Sequence, residues 1–188
     1  IFFDMVWWNG ICLCECCRAR YRRECSAEIP EIVDWQDPDW TRFQQARENW
    51  LTEFAVGLRT AARAIKPNID GYHNFALWIS NWTRGLRFSS VAGHDFLGGD
   101  YYGGRAEQIF VTRLMLNLTP QRPAEFMTTV TTLLTEHTCL RSSADLKTKA
   151  LAAQSCDAAF LGIVAIDPDG HIDPEAIARL KTAFDEVE

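Results

Sequence analysis

The sequence predicts an α/β fold in which parallel strands alternate with helices. Short runs of apolar and β-branched residues recur along the 188-residue chain, and helical repeats or long loops separate them. This alternation favours a parallel sheet, because a crossover helix returns the chain to the end at which the previous strand began. Apolar residues make up 47% of the sequence and aromatic residues 12%, which indicates a folded domain with a sizeable core.

The first half of the chain contains one long helix between two strand segments. Residues 1–3 form an apolar run that predicts a strand covered on both faces, and a cysteine-rich loop follows it. Apolar residues at three- and four-residue steps predict a helix from Trp40 to Ile65, with Asp37 or Asp39 as its N-cap and Pro67 as its stop. Residues 68–79 predict the next strand.

The second half continues the alternation. A short strand within residues 91–104 runs into a glycine-rich loop, and residues 106–118 predict a helix. A β-branched strand is predicted over residues 124–133 and a helix over residues 143–159. Residues 160–166 predict the most clearly buried strand, and Asp173 with Pro174 opens the last helix. The total is five strands.

Polar residues at strand ends distinguish the two architectures that fit five strand–helix units, an open doubly wound sheet and a (β/α)8 barrel. Asp4, Asn74, Asp100 and Asp167 are all predicted to lie where strands end. In a barrel those ends form the active-site face. The sequence therefore predicts a partial (β/α)8 TIM barrel, about strands 4 to 8 with their helices. Residues 1–188 would be the C-terminal part of one barrel domain, with the earlier strands preceding Ile1.

Composition excludes several classes of partner. A formal net charge of −6 disfavours nucleic acid, because phosphate binding needs a basic face. No apolar run reaches the roughly 18 to 20 residues of a membrane span, so no membrane partner is expected. Five of the seven cysteines lie between residues 12 and 25. This clustering leaves the location open and favours a reducing compartment, such as the cytoplasm, together with a metal site.

Two strand-end acids are the candidate catalytic residues. Asp4 is followed by Trp7 and Trp8, and Asp100 is followed by Tyr101 and a second tyrosine. Sugar rings stack their C–H faces on aromatic side chains, and two acids that share a pocket can cleave a glycosidic bond. The alternative is that each aspartate caps a helix or bonds a loop.

Four segments resemble the α-L-fucosidase family of glycoside hydrolases and occur in the family's order. They are FFDMVWW (2–8), HDFLGGDYYGG (94–104), PAEFMTT (123–129) and FLGIVAIDPDGHID (160–173). The resemblance implies a (β/α)8 barrel and a retaining mechanism with Asp4 as the nucleophile. It implies that Asp100 is the general acid/base, at a position where the family has Glu, and that Glu125 reaches into the site.

The substrate-binding candidates are Trp7, Trp8, His73, Asn74, Tyr101, Glu107 and Glu125. Glu107 is also the rival of Asp100 for proton transfer, and its alternative role is that of an acid near a helix N-terminus. His73 is equally well interpreted as a core histidine. Trp78 and Trp82 are further candidates for sugar stacking.

The cysteines of CLCECC form a second motif. Cys12, Cys14 and Cys17 have the spacing C-x-C-x-x-C, which lets three thiolates converge on one ion. The segment resembles the loop of a family of zinc-containing barrel β-galactosidases, which implies a structural zinc. The fourth ligand is left open, and unliganded cysteines are the alternative. Catalysis is expected to need no cofactor.

These observations predict a retaining glycoside hydrolase that acts on a carbohydrate substrate, most similar to the α-L-fucosidases. A β-galactosidase-like barrel and a non-catalytic carbohydrate-binding barrel are the alternatives. We expect the 188-residue chain alone to be inactive. The sequence leaves homo-oligomerisation of the full-length protein open.

Overall fold

The computed structural model describes residues 1–4, 6–75, 81–119, 123–135 and 138–185. The chain divides into two compact units, Ile1–His94 and Asp95–Glu188. Within these described ranges, five strands form a two-stranded and a three-stranded sheet. Every ladder between them is parallel, as the alternation of strands and helices predicts.

The first unit contains the two-stranded sheet and two helices. Strand β1 (Phe2–Phe3) pairs with strand β2 (Tyr72–His73) in parallel register. Helix α1 (Glu15–Cys25) and helix α2 (Pro38–Ile65) come between the two strands in the chain. The predicted strand over residues 68–79 is therefore much shorter than expected, and residues 76–80, which include Trp78, lie outside the described residues.

Helix α2 begins and ends where the local signals predict. The Asp37 carboxylate accepts a 2.9 Å hydrogen bond from the Asp39 backbone N–H, and Pro38 occupies the first turn. The helix ends at Ile65, two residues before Pro67. Its buried face supplies most of the core of this unit, which comprises Tyr21, Ile29, Trp40, Phe43, Ala46 and Trp50.

Helix α1 replaces part of the predicted cysteine-rich loop, and it contains the basic cluster of residues 18–23, which the sequence favours as a solvated helix face. The helix begins after Cys14, and the Cys14 side chain makes no capping hydrogen bond. Tyr21 is buried from this helix against Phe43 and Trp50 of α2, with ring centroids 5.2 and 6.3 Å apart. Tertiary packing therefore stabilises a helix for which the sequence carries no strong local start signal.

The second unit contains the three-stranded sheet. Strand β4 (Ala124–Thr129) lies between β3 (Leu97–Asp100) and β5 (Ala158–Ile163). Helix α3 (Arg105–Leu118) follows β3, and α4 (Ser143–Gln154) follows β4. Helix α5 (Pro174–Phe184) ends the described chain and, as predicted, is capped by Asp173, which accepts a hydrogen bond from the Glu175 N–H.

Two strands predicted to be buried are partly exposed. Phe2 in β1 is 44% exposed, and Ile166, in the run predicted to be the most clearly buried strand, lies beyond the end of β5 and is 66% exposed. An apolar run is covered on both faces only where neighbouring elements supply the cover, and within the described residues β1 and β5 are edge strands.

Three of the four polar residues predicted at strand ends occupy such positions. Asp4 and Asn74 directly follow β1 and β2, and Asp100 is the last residue of β3. Asp167 instead lies in a turn beyond β5, where its carbonyl oxygen accepts a hydrogen bond from the Gly170 N–H. None of the helices in the described ranges combines the length and the apolar character that crossing a bilayer requires.

Candidate active site

Asp4 is held by a buried amide at the carboxyl end of the first sheet. The Asn74 backbone N–H donates a 2.8 Å hydrogen bond to the Phe3 carbonyl oxygen, which continues the ladder between β1 and β2. The Asn74 side-chain Nδ2 donates to Asp4 Oδ1 at 2.9 Å. Asn74 is 4% exposed, whereas Asp4 is exposed. The amide therefore fixes one carboxylate oxygen while the carboxylate group remains accessible.

The loop after Asp4 is fixed by its two tryptophans. The Trp8 N–H donates to the Arg84 carbonyl oxygen, and the Trp8 indole Nε1 donates to the Arg47 carbonyl oxygen, both at 3.1 Å. Gly85 has a φ of +82°, and a Cβ there would lie 2.5 Å from the Trp8 ring, so the turn needs glycine for two reasons. Trp7 is half-buried, and the Arg84 guanidinium lies 5.2 Å from the centre of its ring.

Trp7 and Trp8 also line an apolar cavity of about 510 Å³ in the first unit. Its other walls come from α1 and α2, including Trp50, Phe54 and Arg20. The Arg20 guanidinium lies 4.8 Å from the centre of the Trp50 ring. The cavity therefore offers aromatic faces beside a guanidinium that forms ion pairs with Glu24 and Glu53.

His73 is a core histidine in this structure. Its ring is buried and stacks on Phe3 with a centroid distance of 4.7 Å, and its Nε2 lies 3.2 Å from the Ala55 carbonyl oxygen. Burial lowers the pKa of His73, and the hydrogen bond to Ala55 opposes that shift. Its buried place at the end of β2, against Phe3 of β1, suits a packing role.

The burial of His73 predicts acid sensitivity of the first unit. Below pH 6.5, the ordinary pKa of histidine, the unfolded chain takes up a proton that the folded chain resists. The free energy of unfolding should therefore fall as the pH drops from 6.5 to the lower folded pKa. Urea denaturation between pH 7.5 and 5.5 measures this, and His73→Gln should weaken the dependence. His171→Gln, in an exposed turn, is the control, and equal pH dependence in His73→Gln and the parent would contradict the assignment.

Asp100 ends β3, and its partner is Tyr102. The Tyr102 hydroxyl donates a short hydrogen bond to Asp100 Oδ2. Tyr101, the tyrosine chosen from the sequence, is instead 3% exposed, with its ring stacked on Phe126 at 6.0 Å. Successive residues of an extended segment point to opposite sides, so only one tyrosine of the pair can reach the aspartate.

Buried Lys149 and partly buried Arg141, neither of which the sequence pattern indicated, hold the loop that carries Tyr102. Lys149 Nζ donates to the Gly103 carbonyl oxygen at 2.9 Å. Arg141 donates to the carbonyl oxygens of Tyr102 at 3.2 Å and Thr129 at 3.1 Å. The available signal was the position of Lys149 on the face of α4 that also buries Leu146, Ala150 and Ala153.

Glu107 lies in the first turn of α3, as its alternative interpretation predicts. Its carboxylate folds over Gly103 so closely that a Cβ at that position would overlap Oε2. Burial raises the pKa of Glu107, while the charge of Lys149 and the Gly103 N–H oppose the rise.

Glu125 lies near the start of β4. It is in register with Gly98 of β3, whereas Asp100 is opposite Met127. Along the strand direction, Glu125 thus lies two residues before the level of Asp100, which ends β3. By strand alternation, Glu125 projects from the same face of the sheet as Asp100. Its neighbours in register, Gly98 and Ala159, are both small residues.

The thiols of Cys12, Cys14 and Cys17 converge at the N-terminus of α1. Their sulfur atoms all lie within 4.8 Å of one another. The Cys17 N–H and the neighbouring thiols lower the pKa of exposed Cys14, whereas burial and the same neighbours raise the pKa of Cys17 to about 12. In a tetrahedral zinc site with Zn–S bonds of about 2.3 Å, sulfur atoms lie about 3.8 Å apart. The three thiols therefore fit three zinc ligand positions after a small contraction.

Comparisons with known proteins agree with this fold. No protein-family model matches the sequence, and no curated protein matches it. The solved structure of alpha-L-fucosidase isoenzyme 2 from Paenibacillus thiaminolyticus matches the whole chain, with a TM-score of 0.72 and 19% sequence identity. The chain spans 26% of the length of that fucosidase chain. At this level of identity the match establishes a common fold.

Proposed function

We propose that this chain is part of a retaining glycoside hydrolase of the α-L-fucosidase type, built on a (β/α)8 barrel. The observation that carries the proposal is the hydrogen bond from buried Asn74 to exposed Asp4 at the end of a parallel strand. The ordered segments that resemble the α-L-fucosidases support it, and so does the common fold with a fucosidase. Each of the two units contributes one candidate acid, Asp4 or Asp100, from a strand end.

The proposed reaction has two displacements. Asp4 attacks the anomeric carbon and forms an ester with the sugar, while Asp100 gives its proton to the departing glycosidic oxygen. Asp100 then removes a proton from water, the water oxygen attacks the same carbon, and the bond to Asp4 breaks. Tyr102 orients the Asp100 carboxyl, Asn74 orients the Asp4 carboxylate, and Trp8 is anchored four residues after the nucleophile.

The test is the stereochemistry of hydrolysis by the full-length natural protein. Nitrophenyl α-L-fucoside should be hydrolysed, and proton NMR should detect α-fucose before mutarotation produces the β anomer. First appearance of β-fucose would contradict the retaining assignment. Binding of fucoside without turnover would support a non-catalytic carbohydrate-binding barrel instead.

The cysteine cluster favours one second candidate, a β-galactosidase-like barrel. Convergence of Cys12, Cys14 and Cys17 suits the loop that the sequence resembles in zinc-containing β-galactosidases. A nitrophenyl β-D-galactoside offered beside the fucoside separates the two candidates. Preferential turnover of the galactoside would select this second function.

We also propose that Cys12, Cys14 and Cys17 supply three ligands to a structural zinc ion, which would fix the start of α1 after the Asp4 loop. The convergence of their three sulfur atoms within 4.8 Å of one another supports this.

Metal analysis of the full-length natural protein should find about one zinc ion bound by this cluster. Cys14→Ser should remove that zinc, because serine does not replace a thiolate ligand. Cys139→Ser changes an exposed cysteine of the second unit and is the matched control, which should retain the metal. Equal zinc content in the two variants would contradict the assignment.

A further inference from the structure

A second cavity of the first unit, of about 290 Å³, is lined by indole rings and guanidinium groups. Its walls include Trp8, Trp35, Trp40, Arg47 and Arg84, and we refer to it as the tryptophan cavity. Its described lining residues contain two arginines and no acid. The volume is close to the lower limit of small-molecule sites, which suits a single sugar ring.

Arg47 is the most unusual residue of the tryptophan cavity. It is 3% exposed, and its hydrogen bonds go to the neutral oxygens of Gln44, Gly10 and Thr83. Each terminal nitrogen retains an N–H beyond the one that these bonds use. No carboxylate bonds to Arg47 within the described residues. Burial lowers the pKa of Arg47, and the charge of Glu48 opposes that shift only in part. An anion that binds beside the guanidinium would stabilise its charge further.

Two further residues that line this cavity carry N–H donors. Trp40 is buried, and its indole N–H has no acceptor among the described residues. The exposed side chain of Arg84 forms no ion pair within the described parts of the chain, and its guanidinium lies against the Trp7 ring. The cavity therefore presents several N–H donors, and its ligand must supply acceptor oxygens.

The indole rings that line the cavity indicate which group of the ligand packs against them. Trp35 is 41% exposed, and its ring lies 4.5 Å from the ring of exposed Trp82, outside the hydrophobic core. Trp8 forms another wall of the cavity. Broad indole faces pack well against the C–H faces of a pyranose ring, whereas the arginines favour a carboxylate.

We propose that the tryptophan cavity binds a pyranose ring that carries a carboxylate, as in a uronic acid residue. Arg47 and Arg84 pair with the carboxylate, the Trp40 N–H donates to a ring substituent, and the Trp35 and Trp8 rings pack on the sugar. This proposal concerns binding alone. It goes beyond the hydrolysis proposed above and holds or fails independently of it.

The experiment measures binding to the full-length natural protein by saturation-transfer NMR and calorimetry. The probe is methyl β-D-glucuronide, and methyl β-D-glucoside, which has a hydroxymethyl group in place of the carboxylate, is the neutral control. The glucuronide should bind at least about tenfold more tightly, and added salt should reduce the difference. Equal affinity for both glycosides, or no binding of either, would overturn the proposal.

Variants localise the binding and leave the buried arginine intact. Trp35→Ala and Arg84→Gln change exposed side chains, and each should weaken glucuronide binding at least about fivefold. The matched controls are Phe110→Ala and Arg87→Gln, which alter exposed residues outside the cavity and should leave affinity unchanged. Circular dichroism verifies that all four variants fold. Unchanged affinity in both Trp35→Ala and Arg84→Gln would assign the glucuronide to another site.

Discussion

Asp4→Gly in the full-length natural protein is expected to lower kcat for nitrophenyl α-L-fucoside by about 10⁴-fold or more, because no ester with the sugar can form. Added azide should restore turnover of this variant by attacking the sugar from the side that the aspartate occupied. The product should be β-fucosyl azide, with configuration opposite to that of the substrate, and NMR of the product measures it.

Asp100→Ala should give the opposite stereochemistry with azide. The nucleophile is present in this variant, so azide attacks the sugar–Asp4 ester and the product should be α-fucosyl azide. Asp167→Asn alters an exposed acid of the turn after β5 and is the matched control, with activity expected to match the parent. Exchange of the two azide products between the variants would reverse the roles of Asp4 and Asp100.

Phe126→Ala is expected to lower the free energy of unfolding by about 3–5 kcal/mol. Phe126 is 0% exposed, lies in β4 between β3 and β5, and stacks on Tyr101, so truncation leaves a cavity that the surrounding sheet cannot fill. Urea denaturation followed by fluorescence measures the loss. Phe110→Ala, on the exposed side of α3, makes the same change of side chain and should alter stability by less than about 1 kcal/mol. Similar losses in both variants would contradict the central position of β4.

Features with local causes could be predicted from the sequence. The boundaries of α2 follow from Asp37, Pro38 and Pro67, which act on their immediate neighbours. The cap of α5 at Asp173 has the same origin. The parallel pairing also follows, because alternating strands and helices restrict how the chain can return to a sheet.

Features that depend on distant partners could not be predicted. Helix α1 forms where Tyr21 packs on α2, and the cysteine-rich segment contains no sign of that contact. Edge positions left β1 and β5 less covered than their apolar residues suggested, because strand order is a property of the whole sheet.

In the candidate site, too, features with local causes were predictable and features that depend on distant contacts were not. The strand-end positions of Asp4, Asn74 and Asp100 were predictable from the pattern of apolar runs. The choice between Tyr101 and Tyr102 was not, because adjacent tyrosines differ only in the side of the strand that each one faces. Contacts of Arg141 with the Tyr102 loop span 39 residues, a separation that local patterns do not encode.

The Trp8 indole ring borders two cavities of the first unit. Trp8 lines both the apolar cavity and the tryptophan cavity. Its two hydrogen bonds to main-chain oxygens hold it in place. A shorter side chain at this position would enlarge both cavities at the surface that they share. A ligand that pushes the Trp8 ring out of one cavity would increase the volume of that cavity and decrease the volume of the other.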